Sequence, residues 1–182
     1  MPAATVSLHD KTFVPFIEAE RLARRVAELG AQISADYAHL AEPLLVVPVL
    51  SGSFVFAADL VRHLAVPCQI EFIRVASYAG TGSTGAVQQV LGLASPLAGR
   101  HVLLVEDIVD TGLTMHHLLG QFGAQGPASV RVATLLSKPE SLQQPVPLAY
   151  AGFEIGPEFV VGYGLDYNGL GRELPQVYVL QP

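Results

Sequence analysis

Residues 101–114 read HVLLVEDIVDTGLT and bring together an apolar run, two adjacent acids and an Asp-Thr-Gly sequence. The apolar part, residues 101–105, is typical of a strand buried on both faces of a sheet. We predict that Glu106 and Asp107 lie in the turn after this strand, and that a helix follows over residues 113–122. The segment thus predicts a strand, an acidic turn and a helix.

The turn into this helix is suited to holding a phosphate. The backbone N–H groups from Thr111 to Thr114, with the two threonine hydroxyls, can surround a phosphate at the positive end of the helix dipole. A Walker-type loop would instead need Gly-Lys-Ser or Gly-Lys-Thr after a longer glycine loop, and this turn has neither. Phosphate binding here is therefore expected to use the main chain.

Similar segments flank this one. Residues 44–50 are a continuous apolar run that ends at Ser51, Gly52 and Ser53, as in a buried strand followed by a tight turn. Further strands are predicted over residues 70–76, 87–91 and 130–136. Apolar steps of three and four predict one helix from Ile17 to Leu40, and a second with Phe54, Ala57, Ala58, Val61 and Leu64 on one side.

Strands that alternate with helices indicate an α/β protein with a mainly parallel twisted sheet flanked by helices. In such sheets ligands bind beyond the carboxyl ends of the strands, where the turns after residues 50 and 109 are both expected to lie. With 182 residues and 51% hydrophobic content, the chain is expected to form a single domain over residues 1–182.

Composition and charge exclude several functions. A net charge of -6 argues against nucleic-acid binding, because that requires clustered Lys and Arg. No segment approaches the roughly 20 apolar residues of a membrane span, so no membrane association is expected. Cys68 is the only cysteine, which fits a cytoplasmic protein without disulfides.

Several motifs together resemble the type I phosphoribosyltransferases. VEDIVDTGLT is similar to their motif for phosphoribosyl pyrophosphate (PRPP). The LSGSF turn, Ser77-Tyr78 before a glycine-rich loop, Lys138 and FVVGYGLDYNGLGR at residues 159–172 resemble hypoxanthine-guanine phosphoribosyltransferases. The likeness runs from about Lys11 onward and implies the fold of that family, with a small hood formed by the terminal segments.

The resemblance implies a purine-salvage activity. The 5-phosphoribosyl group of PRPP would pass to hypoxanthine or guanine through an oxocarbenium-like transition state, giving IMP or GMP and pyrophosphate, with Mg²⁺ as cofactor. A homodimer or homotetramer is also implied.

Site residues follow from the same resemblance. Glu106 and Asp107 would face the ribose hydroxyls and a magnesium ion, and Asp110 would act as general acid or base at N7 of the purine. The complete set expected around PRPP and its 5-phosphate is Glu106, Asp107, Asp110, Thr111, Gly112, Leu113 and Thr114.

The pyrophosphate is expected on Ser51, Gly52 and Arg172, with Asp166 at a second magnesium site. The family often has a non-proline cis peptide at this turn. Several relatives carry lysine at the positions of Ser51 and Leu113, so two positive side chains are missing here. The resemblance therefore implies a tight dependence on metal.

The purine is expected between Lys138, which would contact O6, and Phe159, whose ring would stack on the base. The backbone of Val160 would read the N1 and C2 edge, and Asp166 completes the purine-binding set. The loop that begins at Ser77 and Tyr78 would close as a lid and keep water from the ribose.

Two alternatives remain open at this stage. One is a phosphoribosyltransferase of the same superfamily that uses xanthine, adenine or a pyrimidine; Lys138 and residues 159–166 argue against the adenine and pyrimidine versions. The other is a regulatory protein that keeps the fold to sense nucleotides and bind nucleic acid. Such proteins usually have a basic surface or an added DNA-binding domain, and this chain has neither the charge nor the spare length.

Overall fold

A seven-stranded sheet forms the centre of the protein in a computed structural model that describes residues 5–77 and 87–181. Six strands follow one another in the order β6-β5-β3-β7-β8-β9, and β4 also pairs with β3. All pairs are parallel except β5 with β6. The strands are β3 (Leu44–Leu50), β4 (Cys68–Ile70), β5 (Ile73–Ser77), β6 (Val87–Leu91), β7 (His101–Val109), β8 (Ser129–Ser137) and β9 (Leu148–Glu154).

Helices cover both faces of this sheet. Helices α1 (Ala19–Tyr37) and α2 (Phe54–Arg62) bury their apolar residues in one cluster with alternate residues of the strands. Helix α3 (Leu113–Gly123) packs through Met115, Leu118 and Phe122 into the cluster on the opposite face. A central strand with both faces covered must be apolar throughout, which explains the continuous run in β3. The predicted α/β class and mainly parallel sheet are confirmed.

Segments from both ends of the chain form a second, smaller sheet. It is antiparallel, in the order β1-β2-β11-β10. Its strands are β1 (Val6–Leu8), β2 (Lys11–Ile17), β10 (Val160–Val161) and β11 (Val177–Leu180). The sheet has its own small core, in which Phe13 and Val161 are fully buried. The hood that the resemblance implied is present.

Three predicted boundaries were wrong. The acids Glu106 and Asp107 lie inside β7 rather than in the turn after it, because pairing with β8 continues to Val109. The strand expected over residues 70–76 is two strands, interrupted at residues 71–72. Ile17 is the last residue of β2, and α1 begins two residues later.

The predicted apolar face of α2 was also partly wrong. Burial falls on Phe56, Ala57 and Leu60, the side that packs toward α1 and the sheet. Phe54 stays 44% exposed. Among the described residues, no helix combines the length and the apolar character needed to cross a membrane.

Candidate active site

The turn between β7 and α3 forms a main-chain cradle at the carboxyl end of the sheet. Gly112 has the left-handed φ of 78° and serves as the N-cap of α3. The carbonyl oxygen of Thr111 is held by the amides of Gln143 and Gln144, at 2.9 and 3.2 Å. The first N–H groups of a helix have no acceptor within it. They adjoin a cavity of about 100 Å³ and make the turn suited to an anion.

Glu106 and Asp107 are an acidic pair near the end of the same strand, in which Asp107 and the Oε2 atom of Glu106 are buried. Burial, and then the neighbouring Asp107 carboxylate, raise the pKa of Glu106 well above its ordinary value. Burial also raises the pKa of Asp107, although its Oδ1 accepts a hydrogen bond from the Ile108 amide at 2.8 Å. Among the described residues, Glu106 Oε2 is buried without a hydrogen-bond partner. A cation or a ribose hydroxyl would provide that oxygen with a partner.

This burial predicts that Glu106→Gln stabilises the ligand-free protein. A carboxyl with a raised pKa binds its proton more tightly in the folded state than in the unfolded state. Its stabilising contribution is therefore complete below the unfolded pKa of about 4.5 and is lost as the pH rises. We expect the melting temperatures of parent and variant to converge near pH 4.5, and the variant to melt higher by about 2–4 °C or more at pH 8.

The measurement is thermal unfolding of both proteins between pH 4.5 and 8. The control is Glu158→Gln, which makes the same change at an exposed glutamate. A Glu106→Gln protein that melts at or below the parent temperature at pH 8 would show that burial does not disfavour the ionised carboxyl.

A second turn, from β3 into α2, lies directly beside this acidic pair. The peptide bond between Leu50 and Ser51 is cis. The Ser53 hydroxyl donates to the carbonyl oxygen of Val49 at 2.6 Å and so holds the turn. A Cβ at Gly52 would overlap the Asp107 carboxylate, so only glycine lets the backbone come this close.

Arg172 and Asp166 lie on the segment after β10. Arg172 donates to the carbonyl oxygen of Gly164 at 2.6 Å and pairs with Asp166 Oδ1 at 2.6 Å. Asp166 Oδ2 accepts the amide of Gly169 at 2.7 Å. Both Asp166 oxygens thus have partners, and a metal ion there would compete with the guanidinium. The positive charge of Arg172 acts to lower the pKa of Asp107, so the arginine lies near the acidic pair.

Lys138 and Asp110 contact each other across the two neighbouring strand ends. Lys138 Nζ lies 2.8 Å from Asp110 Oδ2. The lysine side chain is 8% exposed and the aspartate side chain 47%. The amide of Lys138 donates to the carbonyl oxygen of Val109 at 2.9 Å, which fixes the lysine beside the phosphate turn. The two side chains expected at O6 and N7 of the purine are therefore neighbours.

Phe159 supplies an exposed ring on the hood. It is 42% exposed, and its centroid lies 5.7 Å from that of Tyr167 in an edge-to-face contact and 6.1 Å from that of Phe13. The Tyr167 hydroxyl donates to Asp10 Oδ1 at 2.8 Å. Val160 is buried in β10 opposite Val179, so only its backbone can reach a ligand.

The structure therefore brings together most of the predicted site residues at the carboxyl ends of β3, β7 and β8. Ser77 is the last residue of β5, and Tyr78 lies outside the described residues, so the predicted lid stays a prediction. No three metal-binding side chains converge within the described ranges. The sequence interpretation missed the contacts of Tyr167 with Phe159 and Asp10, because an aromatic residue in a turn gives no signal of its partners.

Comparison with known proteins shows which family this chain resembles. The model of the phosphoribosyl transferase domain matches residues 17–168. The hypoxanthine-guanine phosphoribosyltransferase of Mycobacterium tuberculosis is 44% identical in an alignment of 171 residues that covers 91% of this chain and 85% of the relative. The hypoxanthine phosphoribosyltransferase of Haemophilus influenzae is 46% identical over 153 residues, covering 82% of this chain and 85% of the relative.

A solved structure agrees with these relatives. The hypoxanthine phosphoribosyltransferase of Trypanosoma cruzi, in complex with the product IMP, matches with a TM-score of 0.88 and 38% identity. The match covers 97% of this chain and 98% of the other. Sequence, fold and the two strand-end turns thus lead to the same result: the chain belongs to the phosphoribosyltransferase family, among the hypoxanthine-guanine phosphoribosyltransferases.

Proposed function

We propose that this chain is a purine-salvage enzyme that transfers the 5-phosphoribosyl group of PRPP to hypoxanthine or guanine, giving IMP or GMP and pyrophosphate. The observation that carries the proposal is the contact between Lys138 and Asp110 beside the main-chain phosphate cradle. The buried Lys138 ammonium and the half-exposed Asp110 carboxylate suit a 6-oxopurine. The anion site beside them suits the sugar phosphate to which the purine is joined. Incubation with PRPP, magnesium and hypoxanthine, followed by chromatography for IMP, tests it.

The substrates have complementary places in this site. The 5-phosphate would lie on the amides and hydroxyls of residues 111–114, and the ribose hydroxyls against Glu106 and Asp107. The pyrophosphate would lie between the Ser51-Gly52 turn and Arg172. The purine would stack on Phe159, with O6 toward Lys138 and the C2 edge toward the backbone of Val160 and Asp166.

The reaction then needs one proton acceptor and a site that stabilises separated charge. N9 of the purine forms a bond to C1 of the ribose while the bond from C1 to the pyrophosphate oxygen breaks, and its electron pair leaves with pyrophosphate. The proton at N7 would pass to Asp110, whose carboxylate is half-exposed and can take up a proton. The preformed amides and the guanidinium balance charge without rearranging during the step.

Magnesium fits the acidic side of this site. Mg²⁺ is usually held by one or two carboxylates together with substrate phosphates and water. Glu106 and Asp107 are such a pair, and Asp166 is the candidate for a second ion on the pyrophosphate side. Bound magnesium would neutralise the charge of the leaving pyrophosphate. The unpartnered Oε2 of Glu106 supports this assignment.

The exposed Ser51 gives a prediction about metal dependence. Ser51→Lys adds a cation at the pyrophosphate turn, so less of the anionic charge must be neutralised by metal. We expect the magnesium concentration that gives half-maximal activity to be lower in the variant than in the parent, by about threefold or more. The control is Ala38→Lys, which adds the same charge at the exposed end of α1. Equal magnesium curves for parent and Ser51→Lys would contradict the prediction.

We also propose that the enzyme is a cytoplasmic homodimer or homotetramer built from one domain per chain. Phe54, Ile70 and Phe72 are large, exposed and line one apolar cavity between α2 and the sheet. Exposed apolar surfaces of this kind are typical of contacts between subunits. The oligomeric state of the Trypanosoma cruzi relative is the subject of another matched structure. Light scattering at several concentrations measures the mass, and a monomer would contradict the proposal.

A further inference from the structure

Two residues outside the expected substrate contacts join the two backbone segments that are expected to hold pyrophosphate. Tyr163 lies between β10 and Asp166, and Asp59 lies in the last turns of α2. The Tyr163 hydroxyl donates to Asp59 Oδ2 at 2.6 Å. Helix α2 starts at the Ser51-Gly52 turn, so this hydrogen bond links the helix of one segment to the backbone of the other.

The backbone around Tyr163 has a left-handed conformation, which a residue with a bulky side chain adopts only where its surroundings hold it. Tyr163 has φ of 52°, and its neighbours Gly162 and Gly164 have φ of 96° and 103°. A left-handed conformation is unfavourable for a bulky side chain and persists where the surrounding contacts impose it. Tyr163 is 6% exposed, and its amide donates to the carbonyl oxygen of Leu174 at 2.9 Å. The ring and the hydroxyl therefore anchor this turn.

The residue after Tyr163 is the point of contact between the two segments. A Cβ at Gly164 would overlap the carbonyl oxygen of Gly52, so the two backbones touch there. The carbonyl oxygen of Gly164 accepts the hydrogen bond from Arg172, and its amide donates to the carbonyl oxygen of Arg172 at 3.0 Å. The place of the guanidinium relative to the Ser51-Gly52 turn thus depends on where Gly164 lies.

We propose that Tyr163 and Asp59 form a positioning pair that sets the distance between the Ser51-Gly52 turn and Arg172, and thereby the affinity for pyrophosphate and PRPP. The inference rests on the proposed function. Neither side chain is expected to contact substrate, and both act through Gly164. Among the described residues, no hydrogen bond or ion pair joins either side chain to Lys138 or Asp110, which are expected at the purine, so loss of the pair should weaken PRPP recognition more than purine recognition.

The test is Tyr163→Phe, which removes one hydroxyl and leaves the ring in place. We expect the KM for PRPP and the dissociation constant for pyrophosphate to rise about tenfold, and the KM for hypoxanthine to change less than about twofold. Asp59→Asn keeps an oxygen that can accept the hydrogen bond and should restore most of the affinity. Asp59→Ala should match Tyr163→Phe, and the double variant should be no worse than either single change.

The chain offers a matched control in Tyr150. Its hydroxyl donates to Asp36 Oδ2 at 2.7 Å and so joins β9 to α1, and the residue is 5% exposed. Arg131 also donates to this hydroxyl, at 3.0 Å. Tyr150→Phe therefore breaks an equally buried Tyr–Asp bond that touches no segment of the site. It should lower the melting temperature but leave pyrophosphate binding unchanged.

Calorimetric titration with magnesium pyrophosphate separates the outcomes. Weaker binding in Tyr163→Phe and parental binding in Tyr150→Phe support the positioning pair. Parental pyrophosphate binding in Tyr163→Phe, or an equal rise in the KM values for PRPP and hypoxanthine, overturns it while the proposed function stands. A parent protein that binds neither pyrophosphate nor PRPP overturns the proposed function and the pair with it.

Discussion

Replacing Asp110 by Asn is expected to lower kcat by about 100-fold to 10,000-fold, the usual contribution of a general acid or base. The amide cannot take the N7 proton, but its oxygen can still accept a hydrogen bond from Lys138, so the buried ammonium keeps a partner. The 5-phosphate is expected on backbone groups of residues 111–114, which the substitution leaves unchanged. PRPP should therefore bind with nearly parental affinity.

Rapid-quench kinetics of the Asp110→Asn protein measure its turnover, and titration with PRPP measures its affinity for that substrate. Turnover within a few-fold of the parent would remove Asp110 from the chemistry. An equal loss of turnover and of PRPP affinity would show that the carboxylate acts on the sugar phosphate instead of on the base.

Replacing Lys138 by Met is expected to abolish most of the reaction with 6-oxopurines while PRPP affinity stays nearly intact. The ammonium can only donate hydrogen bonds, and O6 of hypoxanthine or guanine is an acceptor. Asp110 is half-exposed, so losing its partner leaves a carboxylate that water can solvate, and the fold should tolerate the change. We expect kcat/KM for hypoxanthine to fall by about tenfold to 100-fold.

Base selection by the parent enzyme is expected to follow from the same lysine. Adenine presents an amino group where hypoxanthine presents O6, so donor would face donor, and an unpaired buried polar group costs about 1–3 kcal/mol or more. Guanine adds a 2-amino donor that main-chain carbonyls near Val160 can accept, whereas the 2-oxo group of xanthine would oppose them. A Lys138→Met protein with unchanged hypoxanthine kinetics would show that this lysine does not read the base.

Much of the central sheet could be predicted because buried strands and amphipathic helices have distinct periods. The run in residues 44–50 coincides with β3, and residues 87–91 form β6 as expected. Short hood strands such as β1 and β10 were not identified individually, because two or three residues carry no period. They are strands only through pairing with β2 and β11, which are distant in sequence.

The secondary structure of polar residues in buried strands was harder to predict from the sequence. Glu106 and Asp107 look like a turn in the sequence, since two adjacent acids rarely continue a buried strand. Pairing with β8 keeps them in β7, at the cost of the raised pKa values. Burial on α2 was misjudged for a related reason, because several positions on more than one side of this helix are apolar and only packing selects the buried ones.

The motifs predicted the identity of the site residues better than their contacts. Lys138 and Asp110 were each assigned to the purine, but their mutual ion pair joins positions 28 apart in the chain. Asp59 gave no signal, since a single acid on a half-buried helix is ordinary, and its partner Tyr163 is 104 positions away. The first pair depends on the pairing of β7 with β8, and the second depends on how the hood is set on the sheet; no local pattern encodes either.

The most direct test of the account is the rate of nucleotide formation by the parent enzyme with hypoxanthine, guanine, xanthine, adenine and orotate, each at saturating PRPP and magnesium. We expect IMP and GMP to form with release of one pyrophosphate per nucleotide. Adenine and orotate should give no product, and xanthine little at best. Adenine turnover comparable to that with hypoxanthine, or no PRPP-dependent consumption of hypoxanthine or guanine, would contradict the proposed function.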